Sequence, residues 1–267
     1  MKIRNYLLFL SFFICSICVD AAMTRDADII TSFSLPIPSY RIAIAYSDTS
    51  NTLFICYDNV LQEFTTSGIC LNSVHHSLLL DPEDISISND GTFWLLAHGV
   101  KTELGEYTEI SNEILHINRN GQYIKQCFHH GLLDCLLGIG IETPFSNDQI
   151  YLFVGCSAFF KYNTNCELVS ATPIYVPDYC ISLAFNNEDN LFWTLSNSYS
   201  YKKGYAFKET GEYIYCFILP DAITPYPQGI SHYKGDQFWI VNQTNAYLVE
   251  MGPSYIPSSV SDWMSYN

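Results

Sequence analysis

The chain has 267 residues, with 12 Lys and Arg against 27 Asp and Glu, for a formal net charge of −15. That charge repels phosphate backbones and argues against nucleic acid or an anionic membrane as a partner. Charged residues are 15% of the chain and aromatics another 15%, a balance suited to stacked sheets with Tyr and Phe packed between them.

Residues 1–22 read as a secretory signal. Lys2 and Arg4 precede an apolar run from Tyr6 to Val19, followed by Asp20-Ala21-Ala22 with small residues for cleavage. Fourteen apolar residues fall short of the roughly 20 needed to span a bilayer. The expected product is exported, secreted or periplasmic, without stable membrane insertion. Residues 23–252 then form one domain, and 253–267 an extension.

Downstream, one hairpin pattern recurs. Its copies are Ile42 to Ile55, Ile85 to Leu95, Ile139 to Leu152, Ile181 to Trp193 and Ile230 to Trp239, anchored by Phe54, Trp94, Tyr151, Trp193 and Trp239. Subtracting the anchor numbers gives steps of 40, 57, 42 and 46 residues, near the roughly 40 to 50 of propeller blades. Turns at Asp48 to Asn51, Asn89 to Gly91, Asn147-Asp148, Asn187 to Asn190 and Lys234 to Asp236 use residues that tolerate positive φ. A second hairpin follows each of the first four, turning at Thr66 to Gly68, Arg119 to Gly121, Thr164 to Cys166 and Glu209 to Gly211.

The fifth copy ends after Ala246 to Met251, one strand short. Asp28 to Pro36, ahead of the first hairpin, reads like Tyr213 to Pro220, and both end in Leu-Pro. The expected fold is therefore all-β: a five-bladed propeller with four antiparallel strands per blade, closed by the N-terminal strand, which removes an open sheet edge. An irregular six-bladed propeller is the alternative.

Ten cysteines include Cys15 and Cys18 of the signal, leaving eight. An even number in an exported chain suggests disulfides, with Cys156–Cys166 and Cys127–Cys135 as the first local pairs, against the alternative of buried thiols. Asn242-Gln243-Thr244 matches a glycosylation acceptor.

In this topology the tight turns share one face, and the longer connections share the other. The second face is where binding is expected. Tyr57, His98, Tyr107, Asn197, Tyr199, Tyr201 and Asn242 are the candidate ligand contacts, because tyrosines offer flat contact area at low entropic cost. His98 to Glu113 reads as a protruding acidic flap. Paired histidines at His75-His76 and His129-His130 share a register but sit on different blades, too far apart to hold one ion. Carboxylates and amides near the axis, among them Asp81, Glu83, Asp84 and Asp178, suit a hard cation such as calcium, against the alternative that they solvate loop ends and cap turns. No nucleophile elbow and no glycine-rich phosphate loop followed by a helix is present.

Pro82 to Leu96 and Pro227 to Asn242 resemble the repeat of the NHL and gluconolactonase-like propeller superfamily. The resemblance covers nearly the whole mature chain at blade level. It implies either a metal-dependent lactonase or esterase or a non-enzymatic binding module. For an enzyme it implies an axial divalent cation, with Glu83, Asp178, Asn197 and Asn242 as the nearest ligand candidates. Without a catalytic signature, the expected function is an exported, non-enzymatic module that recognises a protein, peptide or glycan. The alternative is a calcium-dependent lactonase/esterase-type hydrolase.

Overall fold

The structure is a computed structural model; it describes residues 23–75, 82–101, 107–128, 136–142, 149–154, 158–174, 180–196, 202–223 and 226–253. These residues form twenty strands and one short 3-10 turn, Asp221–Ile223. The all-β expectation holds, and the propeller-like arrangement follows from the strand order. Among the described residues no helix is long and apolar enough to cross a membrane.

Three antiparallel sheets each run four strands outward in chain order. The first is β2 (Ile42–Ser47), β3 (Thr52–Tyr57), β4 (Val60–Thr65) and β5 (Cys70–His75). The second is β6 (Pro82–Ile87), β7 (Phe93–Lys101), β8 (Tyr107–Ile117) and β9 (Tyr123–Phe128). The third is β10 (Leu136–Glu142), β11 (Gln149–Val154), β12 (Ala158–Asn163) and β13 (Leu168–Pro173). A further eight-stranded sheet joins β14 (Cys180–Asn186), β15 (Leu191–Ser196), β16 (Lys203–Phe207) and β17 (Tyr213–Ile218) to β18 (Gly229–Lys234), β19 (Gln237–Val241) and β20 (Asn245–Met251).

The link between those two groups is β1 (Met23–Ser34), and it works in two halves. Ala27 to Ser34 pair antiparallel with β20, from Ala27 opposite Met251 to Ser34 opposite Asn245. The N-terminal strand thus lies beside the last strand, as the shared Leu-Pro ending predicts. Met23 to Asp26 do something the sequence did not signal: they pair in parallel with the outer edge of β17. A register shift between Ile29 and Thr31 marks the irregularity in the β20 ladder. One strand therefore completes one sheet and covers the edge of its neighbour, removing unpaired backbone donors and acceptors from two places.

The innermost strands pack in a cycle: β2 on β6, β6 on β10, β10 on β14, β14 on β18, and β18 back on β2. Between sheets, second-strand aromatics fill the gaps. Trp94, Trp193 and Trp239 are all buried, and Trp193 packs 4.2 Å from Phe238 and 5.2 Å from Phe217, centroid to centroid. The recurring aromatic anchor is thus the wedge that sheet-on-sheet packing needs.

Outer turns repeat a second device. Gly68, Gly121, Cys166 and Gly211 occupy the same turn position, each with positive φ. Cys166, at φ 68°, is the non-glycine among them and is disulfide-bonded. Cys135 and Cys156 lie outside the described residues, whereas Cys56, Cys70 and Cys216 are free thiols. Turn residues also tie adjacent sheets together. Glu63 on β4 pairs with Arg119 in the β8–β9 turn, and Lys161 on β12 pairs with Glu209 in the β16–β17 turn. The positions correspond but the charges are swapped, so the contact geometry repeats independently of sign.

Candidate functional site

Each innermost strand begins at the face of longer connections and ends at the face of tight turns. At the first of these ends, three neighbouring strands bring their preceding residues together. Arg41, just before β2, donates from Nη1 to Oε1 of Glu83 at the start of β6. Gln228, just before β18, donates from Nε2 to the carbonyl of Tyr40. Glu83 and Gln228 hold the same place in the Pro-x repeat, and the Tyr40-Arg41 pair lies between them because β2 lies between β6 and β18.

This mouth combines a charge pair with unused polar capacity. Arg41 keeps 43% of its side chain exposed, while Glu83 keeps 18%. The Oε1 atom of Gln228 is buried without a hydrogen-bond partner, a costly state for a carbonyl oxygen. Tyr40, whose carbonyl takes the Gln228 bond, is 85% exposed, a large side chain left in solvent.

One residue deeper, the Asp84 carboxylate is fully buried. Its Oδ1 accepts from Ser182 Oγ at 3.0 Å and its Oδ2 from the Leu183 backbone N–H at 2.8 Å. Those partners lie on β14, two places around the cycle from β6, so the bonds cross the central channel. Ser182 Oγ in turn accepts from the Ile230 N–H of β18 at 3.1 Å. Ser182 reaches this position through a positive φ of 56° at a register shift in β14. The local irregularity turns its hydroxyl to the axis, where it joins three inner strands.

Beyond this tie, toward the tight turns, the channel opens into a cavity of about 80 Å³. Ala45, Ile85, Leu183 and Ile230 line its inner part, and Asp48, Asn187 and His232 lie nearer the turns. The Asp84 bridge therefore separates a mouth at one end from a cavity at the other.

The expected contact residues divide. Tyr57, read as a ligand contact, is 2% exposed and packs among Leu35, Ile42, Phe64 and Trp239. Burial raises its pKa, and its hydroxyl has no hydrogen-bond partner. Asn242, read as both ligand contact and metal ligand, is also buried. Its Oδ1 accepts from the Thr244 and Asn245 N–H groups at 3.1 and 2.9 Å, and its Nδ2 donates to the Ile223 carbonyl at 3.1 Å. Its amide holds the β19–β20 turn rather than facing a ligand, because a short polar side chain at a turn satisfies the local backbone first.

His98 and Tyr107 lie on strands rather than in a loop: His98 pairs with Asn112, and Lys101 with Tyr107. The expected flap is thus partly a two-stranded extension of the sheet. Nothing is described of the side chains of His98 and Tyr107, and Asp178, Asn197, Tyr199 and Tyr201 lie outside the described residues.

The described half of the expected calcium set does not fit a metal. Glu83 is engaged by Arg41, and the Asn242 oxygen is engaged by its own turn. Among the described residues, no group of three or more His, Cys, Asp or Glu is clustered to hold an ion. The residues that sequence reasoning passed over are Tyr40, Arg41 and the bridging role of Asp84. The signal available for them was position: Tyr40-Arg41 precedes the strand lying between the two Pro-x copies.

Neither a family model nor a curated protein sequence matches the chain. Solved structures do. The chain is similar to a glutaminyl cyclase from Myxococcus xanthus, with 12% identity, 86% of this chain and 98% of that one covered, and a TM-score of 0.63. It is also similar to a gluconolactonase from Xanthomonas campestris, with 12% identity, 78% and 71% covered, and a TM-score of 0.51. Both neighbours are enzymes by name, which goes against the expectation of a non-enzymatic binding module. The resemblance to NHL and gluconolactonase-like propellers holds at the level of fold.

Proposed function

We propose that this chain is a five-bladed propeller hydrolase acting on esters or lactones at the long-connection end of its channel. Five blades are supported by the five-membered cycle of inner strands and by β1 completing the β18–β20 sheet. The disulfide at Cys166 supports an oxidising compartment, secreted or periplasmic.

One observation carries the functional reading. At the mouth, the Arg41–Glu83 pair stands beside a Gln228 carbonyl oxygen that is buried and unpartnered. Glu83 acts as general base, taking a proton from the water whose oxygen attacks the substrate carbonyl carbon. The Arg41 guanidinium donates hydrogen bonds to the oxyanion that forms. Collapse of that intermediate breaks the carbon–oxygen bond to the leaving alcohol, which takes the proton back from Glu83. Gln228, through its bond to the Tyr40 carbonyl, holds the backbone beside Arg41 in place, and Tyr40 supplies flat contact area. No step is assigned to a metal, since the described donors do not fit one.

The test is turnover of a panel of sugar lactones and aryl esters by the purified chain, repeated with Glu83→Gln. The expected result is hydrolysis of at least one member, with kcat/KM reduced by about 10²–10⁴-fold in the variant. Absence of hydrolysis across the panel, or full activity in the variant, overturns the reading. So does cyclisation of an N-terminal glutaminyl peptide in place of ester cleavage.

A further inference from the structure

We infer that the cysteine bonded to Cys166 is Cys127, and that this bond staples the second sheet to the third. Cys166 is disulfide-bonded, while Cys56, Cys70, Cys180 and Cys216 keep the thiol form. With Cys15 and Cys18 in the segment read as a signal, the remaining partners are Cys127, Cys135 and Cys156. The repeat of the fold decides among them.

An outer turn sits against the outer strand of the sheet before it. A β-carbon on Gly211, in the β16–β17 turn, would meet the Thr172 methyl on β13 at 3.3 Å. One on Gly68, in the β4–β5 turn, would meet the Phe33 side chain on β1, the strand outside β20. Cys166 holds the place of Gly211: each amide donates to the carbonyl three residues back, and each residue has positive φ. Cys127 holds the place of Thr172. Tyr123 opposite Ile117 and Leu168 opposite Tyr162 are equivalent pairs, and Cys127 and Thr172 each follow four residues later. Cys166 and Cys127 therefore repeat the Gly211–Thr172 contact one seam earlier, at a spacing close to the roughly 3.5–4.5 Å between the β-carbons of a disulfide.

The packing of the seam agrees. Cys166 lies against the cluster that joins Trp94 and Ile114 of the second sheet to Phe160 and Tyr162 of the third, and Ile114 stands opposite Cys127. The chain on either side of the other two cysteines belongs to the far end of the third sheet. Val154 and Ala158, which flank Cys156, pair with each other, and Leu136, next to Cys135, pairs with Val154. From Ala158 to Asn163 the strand climbs about 16 Å, at roughly 3.3 Å per residue, and the Cys166 amide donates to the Asn163 carbonyl. A disulfide joins α-carbons at most about 7 Å apart.

The staple stands where neighbouring seams use charge. Glu63 meets Arg119 between the first and second sheets, and Lys161 meets Glu209 between the third sheet and β16–β17. The matching places here hold His116, stacked on Trp94 at 4.1 Å between centroids, and the uncharged Thr164, which cannot form an ion pair. A cysteine at this turn takes a left-handed φ that glycine adopts at no steric cost, and a covalent tie is what it gains. Closing the bond removes two protons and two electrons from the two thiols; a small-molecule disulfide accepts them and leaves as two thiols. The seam is thus tied only in oxidising surroundings.

The test is a peptide map of the full chain, produced in an oxidising compartment, alkylated without reduction and cut with trypsin and chymotrypsin. Cleavage after Lys125, Phe128, Tyr162 and Leu168 should give residues 126–128 joined to residues 163–168, a mass that splits on reduction. In Cys127→Ser, Cys166 should become alkylated and the unfolding midpoint should fall by about 5–15 °C. In Cys156→Ser, Cys166 should stay protected. The inference fails if the parent carries an alkylated Cys166, if residues 163–168 are joined to a peptide holding Cys135 or Cys156, or if Cys127→Ser leaves Cys166 protected. The parent map decides the pairing even where a variant does not fold, and no outcome depends on the hydrolase reading.

Discussion

Arg25 and Asp236, 211 residues apart in sequence, meet in a two-pronged ion pair, Nη1 to Oδ1 at 2.9 Å and Nη2 to Oδ2 at 2.6 Å. Arg25 also donates to the Met251 carbonyl at 3.0 Å, the Gly252 carbonyl at 2.6 Å and the Tyr215 hydroxyl at 3.1 Å. It sits on the half of β1 that lies along β17, and its contacts reach both sheets that β1 joins. Burial acts against its charge, yet Asp236 and Tyr215 more than offset this and the guanidinium pKa is raised. Arg25→Ala should therefore cost about 2–4 kcal/mol, less than a fully buried pair because Asp236 is half exposed. Arg25→Lys should recover only part of this, since an ammonium cannot form the fork. Urea unfolding of the three proteins checks both statements.

The Asp84 bridge makes a second prediction. Replacing a buried carboxylate that accepts from Ser182 and Leu183 with Ala should cost about 3–5 kcal/mol, because two buried donors lose their acceptor. Asp84→Asn should cost less: one amide oxygen still accepts, while its NH₂ faces a donor. Equal losses in the two variants, measured by denaturant titration, would show that the bridge is not carried by hydrogen bonding.

The three buried tryptophans should respond differently to Phe. Trp94 Nε1 donates to Ser88 Oγ at 3.0 Å, whereas the Nε1 atoms of Trp193 and Trp239 are buried without partners. Trp94→Phe gives up a satisfied bond, and Trp239→Phe removes an unsatisfied donor. The first should be more destabilising by about 1 kcal/mol, with similar cavity costs in both. Comparison of unfolding midpoints at equal slope tests the difference.

Gly204→Ala should destabilise through close contact. A Cβ there would lie 1.9 Å from the Phe217 ring, which is fully buried and unable to move aside. The expected cost is about 1–3 kcal/mol or more. At Gly235, where φ is +51° and nothing lies within 4 Å, alanine should cost about 1 kcal/mol from backbone conformation alone. Thermal unfolding of the two variants separates packing from conformation.

Two groups set opposite pH dependences. Burial, with the charge of Asp236, raises the Asp189 pKa from 3.8 to about 6. Between those values the folded state binds more protons than the unfolded state, so this carboxyl makes stability fall as pH rises. His232 is lowered from 6.5. Just below pH 6.5 the unfolded state binds more protons there, so this ring makes stability rise with pH. Asp189→Asn should flatten the first trend and raise stability above pH 6, modestly because Asp189 is only partly shielded from solvent. His232→Asn should flatten the second. Unfolding free energies measured from pH 4 to 7.5 give both slopes.

The sequence by itself determined where strands and turns fall. Period-two alternation, an aromatic anchor in each copy and Asn, Asp or Gly at each reversal are local properties, written within one hairpin. The matching Leu-Pro endings extended this to ring closure, since both segments precede an inner hairpin. Tertiary structure alone decided how side chains meet across the ring. Tyr57 and Asn242 sit in tyrosine-rich and loop-end contexts that read as display, but packing turns one inward and a turn consumes the other. Asp84 reads as one more acid near the axis, yet its partners are 98 and 99 residues away in sequence. Alternation tells which face of a strand a residue occupies; it does not tell what stands opposite across a channel. That depends on the number of strands around the axis and on irregularities such as the positive φ of Ser182, which no local pattern encodes.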